Sequence, residues 1–160
     1  KTGPRHLAFH PSLNLAYVVN EFGSTVTAYR FSPEGTLSEF QTLSSLPPGF
    51  VGSNTGADVH LTPDGRFLYA SNRGHESIAA YSVDAATGRL ASVGFFPTEK
   101  TPRSFSLDPN GRFLYAGGQG SGKIAAYRIN SQNGQLTPLE TIDAGKNPVW
   151  ILTTKLVHEQ

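Results

Sequence analysis

The chain has 160 residues, a formal net charge of +1 at pH 7 and only 16% charged residues. This length predicts a single domain, and the small net charge leaves no broad basic surface for nucleic acid. The sequence contains no cysteine, which excludes disulfides, thiolate metal ligands and cysteine nucleophiles, and no apolar run approaches the roughly 18 residues of a membrane span.

The first residues, KTGPRHL, include no methionine, and methionine is absent from the whole sequence. Because translation starts at methionine, we expect the chain to be a piece of a longer protein. No secretion signal is visible in these residues. We therefore expect a cytoplasmic protein, with the periplasm and secretion left open because the translated start lies elsewhere.

Three segments of the chain repeat one another without gaps in their central parts. They contain the stretches LAYVVNEF, FLYASNRG and FLYAGGQG, at intervals of 52 and then 46 residues. The insertion that lengthens the first interval falls in the Pro/Gly-rich stretch SLPPGFVGSNTG. The residues that keep the same place in all three units are Pro11, Pro63 and Pro109, then Tyr17, Tyr69 and Tyr115, then Tyr29, Tyr81 and Tyr127.

Each unit is predicted to form four strands. In the first unit, a short strand at residues 6–9 leads through the turn HPSLN to the strand LAYVVN, and STVTAYRF and SEFQTL follow around the turn SPEGTL. Proline and glycine favour the turns, and β-branched and aromatic residues favour the strands. No segment has an apolar period of about 3.6 residues, so no helix is predicted.

Four strands in a unit of about 40–50 residues are typical of a β-propeller blade. We predict an all-β chain with three four-stranded blades near residues 2–53, 54–99 and 100–145, and one further strand at residues 146–156. Roughly 4–8 blades close a propeller, and an open ring exposes sheet faces. The remaining blades are therefore expected from the rest of the parent chain or from another chain.

Polar residues that differ between units within this constant frame are candidates for a functional site. In the first strands, Arg5 and Arg103 share one repeat position, and the next position holds His6, Asp58 and Ser104. The candidate residues are Arg5, His6, His60 and Arg103 from the first strands, and Glu21, Asn72, Arg73 and His75 from the ends of the second strands.

Radial stacking of the blades should bring these side chains together near the propeller axis. Arginine binds carboxylate or phosphate with a rigid fork, and histidine can act as a general base near neutral pH. The pattern therefore indicates a small, anionic, oxygen-rich ligand. Structural roles stay open: Arg5 and Arg103 could pair with aspartates of the turns, and Glu21 could form an ion pair with Arg73.

No metal or cofactor is predicted. Asp58, His60 and Glu21 lack the spacing that is diagnostic of a metal site. The Gly-rich stretch GGQGSG is not followed by a predicted helix, which argues against a phosphate-binding loop. Trp150 is expected to pack against other residues rather than to stack on a ligand.

The stretches GPRHLAFHP, SNRGHESI and TPRSFSLDPNGRFL resemble the 6-phosphogluconolactonase and carboxy-muconate cyclase family of seven-bladed propeller lactonases. The resemblance covers nearly the whole chain, which looks like the C-terminal half of such a propeller. It implies hydrolysis of a sugar-acid lactone without a metal, in the pentose phosphate pathway of carbohydrate metabolism. The matching motifs are G-P-R-H at Arg5 and His6, N-E at Glu21, the stretch at His60, N-R-G at Arg73 and T-P-R at Arg103.

Three functions follow from this resemblance and from the residues. In a lactonase, His6 or His60 would activate water with Glu21 as an orienting group. The arginines, with Asn72 and His75, would bind a small anionic sugar lactone or a related organic acid. The alternatives are a cyclase that forms a lactone from a muconate-like diacid, and a non-catalytic propeller that binds a ligand or protein at its rim.

Overall fold

The computed structural model describes residues 2–155, and these residues form strands and turns without a helix. Twelve strands within this range pair antiparallel in three four-stranded sheets, in the order of the sequence. Blade 1 contains β1 (Pro4–Phe9), β2 (Leu15–Asn20), β3 (Thr25–Phe31) and β4 (Leu37–Ser44). Blade 2 contains β5 (Gly56–Leu61), β6 (Phe67–Asn72), β7 (Ser77–Val83) and β8 (Leu90–Pro97). Blade 3 contains β9 (Pro102–Leu107), β10 (Phe113–Gly118), β11 (Lys123–Ile129) and β12 (Leu136–Asp143).

This architecture confirms the predicted all-β blades, and each sheet falls within the residue range predicted for it. The first strands β1, β5 and β9 lie side by side. Among residues 2–155 there is no helix with the length and apolar character that a membrane span requires.

The turns between the first and second strands stack on one another from blade to blade. Gly65 and Gly111 have φ angles of 73° and 67°, a conformation that glycine adopts without steric cost. A Cβ on Gly111 would lie 2.8 Å from Cδ of Pro63, and one on Gly65 would lie 2.5 Å from Nε2 of His10. The glycines thus form the turns and also leave room for the turn of the preceding blade.

The core lies between the blades, because the second and third strands are buried on both faces. Alternate residues of β6 pack in opposite directions: Leu68 and Ala70 face blade 1, whereas Phe67 and Tyr69 face blade 3. This follows from the two-residue repeat of a strand. The central strand β6 therefore carries apolar side chains on both faces over residues 67–70, unlike a strand with one wet face.

Four of the six repeated tyrosines join neighbouring blades through hydrogen bonds of their hydroxyl groups. On the second strands, the hydroxyl of Tyr17 donates to the carbonyl of Gly88 at 2.8 Å, and that of Tyr69 donates to Gly134 at 2.9 Å. The third-strand tyrosines bond backward: Tyr81 donates to Ser44 at 2.7 Å, and Tyr127 donates to Pro97 at 2.8 Å. The repeat therefore keeps these tyrosines because each one ties its blade to the next or to the previous one.

The further strand predicted at residues 146–156 needs correction. Residues 146–155 form no strand, and residue 156 lies outside the described part of the chain. The amide of Ile151 donates to Oγ of Ser104 at 3.2 Å, and the amide of Thr153 donates to Oγ of Ser106 at 3.3 Å. The first strands β1, β5 and β9 each pair with the second strand of their own sheet, and no such strand lies beside residues 146–155 in the described part of the chain, so no ladder forms there.

Replacing Tyr69 by phenylalanine should destabilise the full-length protein by about 1–3 kcal/mol, because the buried carbonyl of Gly134 loses its donor. Chemical denaturation followed by circular dichroism would measure the loss. Ser131→Ala, in the same turn but exposed, is the control and should change stability by less than about 0.5 kcal/mol. Equal stabilities of the Tyr69→Phe variant and the unmodified protein would contradict a role for this hydrogen bond.

Candidate functional site

A cleft of about 470 Å³ opens beside the first strands and the ends of the second strands. Its volume lies in the range of roughly 300–1,000 Å³ that is usual for small-molecule sites. Its lining combines charged, polar and aromatic groups and consists of Arg5, His6, Arg103, Ser104, Gln119, Val149 and Trp150. Three of the predicted site residues, Arg5, His6 and Arg103, therefore face one cavity.

Asp58 lies behind this cleft and joins all three blades. Its side chain is only 4% exposed. One carboxylate oxygen accepts from Nδ1 of His6 in blade 1 at 2.8 Å, and the other accepts from the amide of Phe105 in blade 3 at 3.2 Å. Nε2 of His60, in the same strand as Asp58, lies 3.4 Å from that second oxygen. A buried carboxylate with such partners stays ionised and fixed in place.

The pKa of Asp58 reflects these contacts. Burial on its own would raise the pKa, but the hydrogen bonds from His60 and His6 and from the amide of Phe105 lower it to about 2. The carboxylate is therefore negative throughout the neutral range, and its bond with His6 determines the tautomer of that ring. An ionised carboxylate only accepts, so Nδ1 of His6 donates to it, and in the neutral ring the lone pair is on Nε2.

Arg5, Glu21 and Arg73 form an ion-pair cluster next to His6. Nη2 of Arg73 donates to Glu21, and Nε of Arg5 lies 4.0 Å from the other oxygen of that carboxylate. Backbone carbonyls hold the same arginines: Arg5 donates to Ala57 at 2.6 Å, and Arg73 donates to Gly56 at 3.1 Å. Glu21 thus forms an ion pair with Arg73, which is the structural role that the sequence analysis left open.

Positive charge exceeds negative charge in this cluster. Burial lowers the pKa of Arg5, and the nearby charges of Arg73 and Arg103 lower it further. The hydrogen bond from Arg73 lowers the pKa of Glu21 in spite of its partial burial, and the charges of Arg5 and Arg103 add to this effect. An anion entering the cleft would relieve the repulsion among the arginines.

The arginines differ in whether their donors already bond to other groups of the protein. Nη1 of Arg5 also lies 3.2 Å from Nε2 of His6. By contrast, the guanidinium of Arg103 makes no hydrogen bond or ion pair with any group of residues 2–155, although it lines the cleft. Arg103 is therefore the arginine with its donors available to a ligand.

The other five predicted site residues do not line the cleft, and they are Glu21, Arg73, His60, Asn72 and His75. His60 contacts Asp58 but packs edge-on against Phe105, with ring centres 4.8 Å apart. Asn72 is fully buried, donates to the carbonyl of Ser45 at 2.6 Å and accepts from the hydroxyl of the same residue at 2.8 Å.

His75 lies in the turn between β6 and β7. Its Nδ1 lies 2.7 Å from Oγ of Ser77, and its ring packs edge-on against Phe50 at a centroid distance of 5.0 Å. Asn72 and His75 therefore hold the loops between blades 1 and 2, and their side chains do not line the cleft with Arg5 and Arg103.

Asp58 is not among the predicted site residues, although it occupies the repeat position of His6. This shared repeat position is the feature of the sequence that could have identified it. Asp58 and His60 do not form a metal site with Glu21, because Glu21 contacts the arginines instead. Within residues 2–155, no group of three histidine, cysteine, aspartate or glutamate side chains could hold a metal ion.

Within residues 2–155, Trp150 is largely exposed, in contrast to the expectation that it packs against other residues. Its side chain is 65% exposed and lines the cleft. Its neighbour Ile151 takes the packed position instead, because Gly117 has no side chain: a Cβ there would lie 2.9 Å from Cγ1 of Ile151. Sequence alone does not show which of two adjacent apolar residues faces inward.

Comparisons with known proteins agree with this architecture. A family model described as "Lactonase, 7-bladed beta-propeller" matches residues 1–153. The 6-phosphogluconolactonase of Pectobacterium carotovorum is 41% identical over 150 residues, which cover 93% of this chain and 45% of the relative. That of Serratia proteamaculans is 43% identical with the same coverage. The chain thus spans about half the length of the curated relatives that it matches.

Solved structures are similar over nearly the whole chain. The periplasmic gluconolactonase PpgL of Pseudomonas aeruginosa superposes with a TM-score of 0.86 at 32% identity, over 91% of this chain and 41% of that protein. A protein from Lactobacillus plantarum superposes with a TM-score of 0.89 at 29% identity, over 93% of this chain and 44% of that protein.

Asp58→Asn should make the free energy of unfolding fall less steeply as the pH is lowered into the acid range. The folded-state pKa of Asp58, about 2, lies below the ordinary value of 3.8. The stabilisation is therefore present above about pH 4 and disappears as the pH falls towards 2, and it amounts to roughly 2 kcal/mol. Urea unfolding of the full-length protein at several pH values between 5 and 2 measures the difference between the two profiles.

The matched control for this experiment is Asp143→Asn, which changes an exposed aspartate at the end of β12. That variant should follow the profile of the unmodified protein. If the Asp58→Asn variant followed it too, the link between Asp58 and acid stability would be refuted.

Proposed function

The chain belongs to the lactonase family of seven-bladed β-propellers, and on this premise we propose that the full-length protein hydrolyses the cyclic ester of a sugar acid. The main support is the arrangement of His6, which Asp58 holds in one tautomer, next to the arginines of the cleft. This arrangement offers a base for water and positive charge for the carbonyl oxygen and for an anionic substituent.

We assign the role of general base to His6. Its Nε2 would take a proton from water as the water oxygen attacks the lactone carbonyl carbon. Asp58 would stabilise the resulting imidazolium, because it already accepts from Nδ1. Collapse of the intermediate breaks the bond between the carbonyl carbon and the ring oxygen, which receives the proton from His6. The product is an open-chain hydroxy acid.

Arg5 would stabilise the oxyanion that develops on the lactone carbonyl oxygen. Its Nη1 lies 3.2 Å from Nε2 and 3.5 Å from Nδ1 of His6, so the guanidinium lies over the face of the imidazole and leaves the in-plane lone pair of Nε2 open to water. A carbonyl that reacts beside Nε2 would lie next to this positive charge, where negative charge accumulates in the transition state. Glu21 and Arg73 act as positioning residues in this scheme, because their ion pair and the carbonyl of Ala57 hold Arg5 in place.

Arg103 would bind the anionic end of the substrate. Several bacterial relatives are named 6-phosphogluconolactonase, and we propose the same substrate class, a six-carbon lactone that carries a phosphate. A guanidinium with available donors suits phosphate or carboxylate. A phosphorylated substrate also favours the cytoplasm as the location, because charged sugar phosphates do not cross membranes unaided.

His60 stays the second candidate for the base, since it also contacts Asp58. Asn72 and His75 contribute by holding the adjacent loops, and direct contact between these two side chains and the substrate is not part of the proposal.

His6→Asn should lower kcat of the full-length protein by roughly 10²–10⁴-fold, the usual contribution of a general base. His60→Asn should lower it less than about tenfold, because His60 lies outside the cleft. A pH-indicator assay with 6-phosphogluconolactone and with gluconolactone measures both rates after subtraction of spontaneous hydrolysis. The control is His10→Asn, since His10 lies outside the cleft in a turn, where it accepts from the amides of Ser12 and Leu13.

The opposite ranking, with His60→Asn inactive and His6→Asn active, would transfer the role of base to His60. Failure of the unmodified protein to hydrolyse either lactone would refute the proposed function. Cyclisation of carboxy-muconate by the same preparation would then identify the protein as a cyclase.

Arg103→Gln should raise KM for 6-phosphogluconolactone by roughly 10–100-fold, because a charge-assisted hydrogen bond contributes about 1.5–3 kcal/mol. The kcat should change little if Arg103 binds the substrate and the transition state equally. Arg112→Gln, on an exposed turn of blade 3, serves as the charge-matched control. An equal KM in the Arg103→Gln variant and the unmodified protein would contradict this assignment.

A further inference from the structure

We infer that Trp150 is a platform on which the ring of the substrate stacks, and that it makes the cleft selective for a sugar ring. This inference rests on the proposed function, because it concerns the same cleft. Trp150 is the only tryptophan of the chain. Its exposed indole lines the cavity beside Val149 and Arg103.

The backbone around Trp150 is anchored, so the indole is presented from a fixed position. On the C-terminal side, the amide of Ile151 donates to Ser104, and the hydroxyls of Thr153 and Ser106 lie 2.9 Å apart. The side chain of Ile151 packs where Gly117 leaves space. This packing holds the adjacent backbone in place, and the indole of Trp150 lines the cleft.

The repeat gives an independent reason to count Trp150 among the site residues. Pro102 and Pro148 are equivalent, and the same interval leads from Ser104 to Trp150. Trp150 therefore occupies the repeat position that holds His6 in blade 1 and Asp58 in blade 2. At that position the side chain points to the shared space between the first strands, as His6 and Ser104 do.

The chemistry of the two sides of the cleft defines the ligand. Arg5, His6 and Arg103 supply charge and hydrogen bonds, whereas Trp150 and Val149 supply an apolar surface. The face of an indole is electron-rich and attracts the polarised C–H groups of a sugar ring, while the hydroxyls at the ring edge stay free for polar partners. A cyclic sugar acid has both features, and inorganic phosphate has only the charge.

Trp150→Ala in the full-length protein should raise KM for gluconolactone and for 6-phosphogluconolactone roughly tenfold, with kcat changed less than about threefold. Trp150→Phe should keep KM within about threefold of the unmodified protein, because a smaller aromatic face remains. Inhibition by inorganic phosphate should be unchanged in Trp150→Ala and weakened in Arg103→Gln. The matched control is Leu152→Ala, which removes an exposed apolar side chain outside the cavity.

Fluorescence gives a readout that does not depend on turnover. Gluconate should change the indole emission of the unmodified protein, and this change should be missing from Trp150→Phe. Unchanged KM values in Trp150→Ala, with normal hydrolysis by the unmodified protein, would overturn the platform and leave the proposed function intact.

If Trp150 had only a structural role, both substitutions would lower the stability of the protein, and gluconate would not change the indole emission. That result would also overturn the platform. If the unmodified protein hydrolysed no lactone but gluconate still changed the Trp150 emission, the platform would stand and the proposed reaction would fall.

Discussion

One buried carboxylate organises the site. Asp58 projects from the first strand of blade 2 and accepts hydrogen bonds from the side chain of His6 in blade 1 and the backbone of Phe105 in blade 3. A charge at this depth is tolerated only because its partners satisfy it. The same contacts that fix the carboxylate fix the spacing of the three first strands and the tautomer of His6. The tautomer of His6 and the link among the three first strands therefore depend on a single group.

Arg5 and Arg103 hold the same repeat position but make different contacts. Glu21 and backbone carbonyls bind Arg5 and Arg73, and these contacts hold together positive charges that would otherwise repel one another. Arg103 makes no such contacts within the described residues. The repeat position of Glu21 holds Gln119 in blade 3, so the carboxylate beside Arg5 has no charged equivalent beside Arg103.

The blade frame and the candidate site were predictable to different degrees. Turn residues such as Pro63 and Gly65, and the alternation along each strand, are local signals, and they predicted the four strands of each blade. Divergence at constant repeat positions pointed to Arg5, His6 and Arg103, which share the cleft. The same criterion also selected Asn72 and His75, whose side chains turn into the loops between blades 1 and 2. Repeat position predicts where a residue lies along the strand but not which partner its side chain meets.

The sequence by itself determined that the chain forms repeated four-stranded units and that its polar outliers cluster at the first strands and the ends of the second strands. Those features arise from turn chemistry and strand periodicity over a few residues. Only the tertiary structure decided that Asp58 joins His6 to Phe105, that Glu21 pairs with Arg73, and that residues 146–155 form no strand. These outcomes depend on contacts between residues some 47–52 positions apart, because the rotation of one blade against the next sets which side chains meet.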